Sequence, residues 1–242
     1  MSGRRRVGAP PAREMIGWML VIFDFDDTAA VENVARLLLD RFGDGAFERI
    51  QADYSAGKLL FKDYQELAFL SLQTSVTEMR SYAAETARLR PGFSDAVAAA
   101  ERAGAQVAIV SAGLDFYIEP VLAKHGFAGL PMTSVGTGRF AGDASQLKYF
   151  YPAAREGCPA DWAVCKCRAF EEALGSGQEV VFVGDGTRSD ACAAARATTV
   201  FARARLLDHC RSKGIRATPF DDLYPVVRHI EWAARTRSGR HD

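Results

Sequence analysis

The sequence predicts an α/β protein: a doubly wound parallel sheet in a three-layer, Rossmann-like sandwich, with a helical insert after the first strand. Three observations lead there. Short apolar runs at Val21-Ile22-Phe23, Val107-Ala108-Ile109-Val110 and Val180-Val181-Phe182-Val183 have the continuous pattern of strands buried on both faces. Each run ends in a small polar or acidic group and is followed by a helix-like stretch. Residues 29–88 carry helical periodicity and no strand, which is long for a plain crossover between neighbouring parallel strands.

The elements follow in order. Residues 1–14, rich in Arg, Pro, Ala and Gly, read as a disordered tail, and Met15 or Met19 could serve as the start. The run from Met15 to Phe23 is broken by Gly17 and stopped by Asp24, so it is the first strand and not a secretion signal. The core is expected at 15–28 and 89–232, with the insert at 29–88. In the insert, Val34, Leu37, Leu38 and Phe42 share one helical face, as do Tyr64, Leu67 and Phe69 to Leu72. Ser75 with Glu78 has the spacing of a capping box. Pro91 is expected to start a helix that stops at Gly104 and leads into the second strand. A helix through Phe116–Leu122 and a strand at Met132–Val135 come next. Gly136, Gly138 and Gly142 suggest a hairpin or loop excursion carrying Tyr149, Phe150 and Tyr151. Residues 169–174 read as a helix, and 233–242 as a loose end.

Composition narrows the class. Of 242 residues, 48% are hydrophobic and 25% charged, and 30 basic side chains balance 30 acidic ones. Nothing global points to nucleic acid or to a membrane, and no apolar run approaches the ~20 residues of a membrane span. Five cysteines (158, 165, 167, 192 and 210) fit a reduced, cytoplasmic protein. Cys158, Cys165 and Cys167 lack paired zinc spacing and are expected to be ordinary thiols.

The chemistry is concentrated in Asp24-Phe25-Asp26-Asp27-Thr28. Side chains alternate along a strand, so Asp24 and Asp26 point the same way at a sheet edge where ligands bind. Two like charges this close call for a cation or a shared proton between them. The pair therefore suggests a Mg2+ site, with one carboxylate as nucleophile and the other as proton shuttle. The plainer alternative is a strand-to-helix turn in which Asp26 or Thr28 caps a helix. Ser111-Ala112-Gly113 ends the second run, and Gly184-Asp185-Gly186 with Asp190 the third. With Lys166, these are the parts needed for phosphoryl transfer.

In order and spacing, from residue 19 to about residue 205, these motifs resemble the haloacid dehalogenase superfamily, in particular its phosphoserine-phosphatase-like branch. Ser111 to Tyr117, Cys165-Lys166-Cys167, and Phe201-Ala202-Arg203 with Leu206, Leu207 and Cys210 carry a closer likeness to one small-metabolite phosphatase of that branch. The resemblance implies Asp24 as nucleophile and Asp26 as acid/base. It implies Mg2+ held by the Asp24 carboxylate, the Asp26 carbonyl and Asp185, with Asp190 bound directly or through water. Ser111 and the amides of Ala112 and Gly113 at a helix amino end would bind phosphate, together with Lys166, for which Lys148 is the rival. Residues 29–88 would be the cap. Glu32, Asn33, Phe116 and Tyr117 are candidates to face the substrate. The chain departs from the pattern at Asp27, where Gly is common, at Cys167, where Pro is common, and in the four residues between Asp185 and Asp190.

The expected activity is Mg2+-dependent hydrolysis of a small phosphorylated metabolite through an aspartyl phosphate, by a monomer or homodimer with no nucleic-acid or membrane partner. Two alternatives share parts of the pattern. One is phosphoserine or another pathway-specific ester as substrate. The other is a phospho-receiver, which needs neither the insert nor Asp26, or an inactive binding module, although no motif residue has been lost.

Overall fold

A computed structural model describes residues 17–137, 147–156, 158 and 163–238. The expected amino-terminal tail and most of the glycine-rich excursion lie outside these residues. The sheet consists of β1 (Met19–Phe23), β2 (Gln106–Leu114), β3 (Met132–Val135), β4 (Glu179–Gly184), β5 (Thr199–Ala202) and β6 (Thr218–Pro219). All pairings are parallel, in the order β3-β2-β1-β4-β5-β6. Met19, Val21, Ile22 and Phe23 are fully buried, as a central strand covered on both faces requires. Phe23 pairs with Ile109 on one side and Val183 on the other, so Asp24, Ser111 and Asp185 each follow within two residues of this shared level. The Asp24 amide extends the ladder by donating to Val183 O at 2.9 Å.

Helices α5 (Phe93–Ala103), α6 (Asp115–Lys124), α7 (Glu171–Gly175), α8 (Thr187–Ala194), α9 (Ala204–Lys213) and α10 (Tyr224–Ser238) complete the core. Pro91 precedes α5 without entering it, because Gly92, at φ 87°, is the cap residue. A Cβ there would lie 2.9 Å from the backbone of Leu223 and Tyr224, so only glycine fits. The loose end expected from residue 233 is helical as far as Ser238. Val226, Ile230 and Ala233 form a buried stripe at helical spacing that holds α10 in place.

Between β1 and α5 run α1 (Val34–Phe42), α2 (Phe47–Ser55), α3 (Phe61–Leu70) and α4 (Val76–Thr86). The two chain crossings pair side by side: Val31 N donates to Arg88 O at 2.9 Å and Arg90 N to Ala29 O at 2.8 Å. Outside this neck, Glu32 binds Arg88 at 2.7 Å, which turns it away from the strand ends. The insert also packs against α6, where Phe69 meets the rings of Phe116 and Tyr117 and Arg80 donates to Phe116 O at 3.0 Å. Ser75 caps α4 by accepting from Glu78 N, but the Glu78 carboxylate is taken by Thr74, so half of the capping box forms.

Candidate active site

Asp24, at the end of β1, is followed by a tight loop, Phe25–Ala29, whose backbone is bound from outside. Arg90, 5% exposed, donates to the carbonyls of Asp27 (2.6 Å), Thr28 (2.7 Å), Ala30 (3.3 Å) and Asp221 (3.0 Å). Arg203 adds a second donor to Asp27 O at 2.7 Å. Asp27 itself is left-handed at φ 58°, a conformation glycine adopts freely and Asp tolerates. Asn33 Nδ2 donates to its carboxylate at 3.0 Å.

The two catalytic candidates occupy different environments. Asp24 Oδ1 meets Lys166 Nζ at 2.7 Å, and the same ammonium reaches Asp190 Oδ1 at 2.6 Å; Lys166 and Asp190 are fully buried. Burial pushes the Asp24 carboxyl up, Lys166 pulls it down and Asp190 pushes it up again, to about 6. Burial works against the Lys166 ammonium, yet Asp190 and Asp24 outweigh it and hold the group above the ordinary lysine range. Lys148, the rival, is exposed.

Asp26 accepts from Tyr117 Oη at 2.7 Å on one oxygen, and from Val34 N (2.7 Å) and Ala35 N (3.4 Å) on the other. Those amides belong to the first turn of α1, so the helix-capping alternative is met in part. The same carboxylate faces the cavity and holds the insert. Burial raises it, Tyr117 lowers it and Asp24 raises it, to about 7.

β2 runs on past the second motif, so α6 begins only at Asp115, with Leu114 as its cap residue. Ser111, Ala112 and Gly113 are thus at a strand end with a register shift, and their amides are not those of a helix amino end. Gly113 N donates to Ser111 Oγ at 3.1 Å, while Ala112 O accepts from Gln65 Nε2 at 2.9 Å. A Cβ on Gly113 would run into Tyr117 Oη and lie 2.8 Å from Asp26 Oδ2, so the acid's partner fits only over glycine.

At the end of β4, Asp185 accepts from Thr28 Oγ1 at 3.1 Å. Burial, then Asp24, Asp190 and Asp27, raise its carboxyl to about 8. Both oxygens of Asp190 are engaged, Oδ1 by Lys166 and by Ser189 Oγ (2.9 Å), Oδ2 by the amides of Asp185 (3.1 Å) and Gly186 (2.9 Å). Carboxylate oxygens of Asp24, Asp185 and Asp190 lie within 4.8 Å of one another, the only such metal-compatible group among the described residues. No described cysteine is in a disulfide, and Cys167 shares a hydrogen bond with Cys192.

Asp24, Asp26, Ser111, Ala112, Gly113 and Asp185 border one cavity of about 340 Å3 between sheet edge and insert. Lys166 and Asp190 lie behind it. Asn33 and Tyr117 border it too, whereas Glu32 and Phe116 do not. Sequence reasoning missed Gln65, Arg90 and Arg203. Each acts on a backbone carbonyl, which leaves no pattern in the side-chain order.

Sheet order, strand-end carboxylates and a buried lysine define a doubly wound α/β protein with a helical insert and an acidic site at the carboxyl edge of its sheet. The sequence model of haloacid dehalogenase-like hydrolases matches residues 21–195, and the chain belongs to that family. Its relatives include the bifunctional enzyme MtnB/MtnX of Bacillus licheniformis, 26% identical over 90% of this chain; the chain spans 50% of that protein's length. The 2-hydroxy-3-keto-5-methylthiopentenyl-1-phosphate phosphatase of Geobacillus kaustophilus is 27% identical, over 88% of this chain and 96% of the relative. Among solved structures, a substrate-bound phosphoserine phosphatase superposes with a TM-score of 0.65 at 18% identity, over 90% of this chain and 99% of the other. A probable phosphoserine phosphatase from Vibrio cholerae reaches 0.66 at 21%, over 90% and 66%. At these identities the structures speak for the fold alone. Among the described residues, no helix is long and apolar enough to cross a membrane.

Proposed function

We propose that this chain is a Mg2+-dependent phosphatase of a small phosphomonoester, working through an aspartyl phosphate, with residues 29–88 as its cap. The observation that carries the proposal is the pairing of two carboxylates in contrasting settings at one cavity: Asp24 held on Lys166, and Asp26, raised by burial to about 7, bound by Tyr117. In the first step an Asp24 oxygen bonds to phosphorus, the ester P–O bond breaks, and Asp26 gives its proton to the departing alkoxide. In the second, Asp26 takes a proton from water, the water oxygen bonds to phosphorus, and the Asp24–phosphorus bond breaks to release phosphate.

The donor set fits a hard divalent cation. All candidate ligands are oxygens, and the crowding that raises Asp185 is the repulsion a cation relieves. Asp24 and Asp185, with the Asp26 carbonyl, would hold it. Asp190, its oxygens already engaged, would fix the Gly184–Gly186 turn and Lys166. When bound, Mg2+ neutralises charge on the phosphoryl group.

Every cavity-bordering side chain supplied by the insert is uncharged, from Asn33 to Phe69. On the insert side a zwitterion such as phosphoserine would find no counter-charge, the cationic side chains that border the cavity, Arg188 and Arg205, belonging to the core. A neutral, partly apolar leaving group would fit there, against Leu39, Phe61 and Phe69. The methylthiopentenyl phosphate in the relatives' name has that character, and we propose it as the substrate. Phosphate release from a panel containing this ester, phosphoserine and simple alkyl phosphates tests the reading, with Mg2+ or chelator, for wild type and Asp24→Asn. Metal-dependent release lost in Asp24→Asn is expected. Release from no ester under either condition would refute it.

A further inference from the structure

We infer that Gln65, on α3 of the insert, is a specificity-determining residue whose side-chain oxygen accepts a hydrogen bond from a hydroxyl on the substrate's leaving group. The inference rests on the phosphatase reading above and deepens it.

Gln65 is 5% exposed and borders the cavity beside Ser111, Ala112 and Tyr117. Its amide is oriented by the core: Nε2 donates to Ala112 O at 2.9 Å, and turning the amide over would set oxygen against oxygen. That leaves Oε1 without a partner among the described residues, although it is shielded from solvent. A buried acceptor with no donor is destabilising, so such atoms are rare unless something else supplies the proton. No described residue does, and the cavity is where a donor can arrive. The residue also spans the two halves of the site, since its nitrogen grips the phosphate-side strand end while its backbone belongs to the insert. A leaving group bearing a hydroxyl would satisfy Oε1; one without it would leave the oxygen orphaned in a closed site. A site built to bond a hydroxyl rejects the analogue that lacks it.

The test uses two esters of equal carbon count, glycerol 1-phosphate and n-propyl phosphate, with the full-length enzyme and Mg2+. Wild type is expected to favour the hydroxylated ester by about 10- to 100-fold in kcat/KM. In Gln65→Met, of similar volume but with no acceptor oxygen, that ratio should collapse towards one. In Gln65→Glu, which keeps an acceptor, the preference should survive even if both rates fall. Equal kcat/KM for the two esters in wild type overturns the inference without reference to any variant's folding. An equal fall for both esters in Gln65→Met also overturns it, because that is what a purely structural link between insert and core would give. Failure of wild type to hydrolyse any phosphomonoester overturns the phosphatase reading, and this inference with it.

Discussion

Lys166 Nζ lies 2.7 Å from Asp24 and 2.6 Å from Asp190, with no solvent reaching the ammonium. One cation thus neutralises a carboxylate that faces the cavity and another that braces the turn after β4. Breaking a buried pair by removing one partner costs about 3–5 kcal/mol, because the remaining charges are left uncompensated. Lys166→Met should therefore melt well below wild type at pH 8, and the deficit should shrink at pH 5, where Asp24, raised to about 6, can take up a proton. Thermal melts at the two pH values decide it; a deficit independent of pH would mean that the lysine's stem, and not its charge, is what matters.

The metal-free protein should lose stability as pH rises. Asp24, Asp26 and Asp185 are raised from the ordinary carboxylate value of 3.8 to about 6, 7 and 8, chiefly by burial. A carboxyl whose folded pKa is raised binds its proton more tightly in the folded state. Its contribution is complete below pH 3.8 and is lost as pH climbs through 6 to 8. Mg2+ binds the ionised forms, so the stabilisation it gives should be larger at pH 8 than at pH 5.5. Melts with Mg2+ and with chelator at both values would show it, and an equal Mg2+ effect at each would contradict it.

Tyr117 donates to Asp26 and thereby favours its ionised form. Tyr117→Phe should raise the Asp26 pKa, so the limb of the pH–rate profile belonging to this acid should move to higher pH, and kcat should fall by about tenfold or more. A profile displaced in the opposite direction, or not at all, would separate Tyr117 from the proton transfer.

Much of the fold was legible because its strands are apolar on both faces and its motifs sit at their ends. Val21–Phe23, Val107–Val110 and Val180–Val183 all fall within strands of the central sheet, and the family match covers residues 21–195. β6, of 2 residues, is too short for periodicity to register. The extension of β2 through Gly113 was hidden because Ser-Ala-Gly reads as a helix entry, whereas Tyr117 and Asp26 need glycine at a strand end. Asp24, Asp26, Ser111 and Asp185 could be picked out, since carboxylates and hydroxyls at sheet edges are chemically unusual. Arg90 could not: its partners are the carbonyls of Asp27, Thr28, Ala30 and Asp221, contacts that no side-chain pattern encodes.

Arg90 carries the last prediction. Four carbonyls converge on one guanidinium, and burial and the neighbouring Arg203 both lower its pKa. Lysine offers one nitrogen where this site uses three in a fixed fork, so Arg90→Lys cannot satisfy the same carbonyls. Each buried acceptor left unpaired costs about 1–3 kcal/mol. Arg90→Lys should therefore destabilise the fold by several kcal/mol. Because the freed carbonyls belong to the loop that aims Asp26, it should also lower kcat more than it raises KM. Denaturant unfolding and steady-state kinetics on the same preparation test both halves: a variant of wild-type stability with wild-type kcat would show that Arg203, which also donates to Asp27 O, holds the loop by itself.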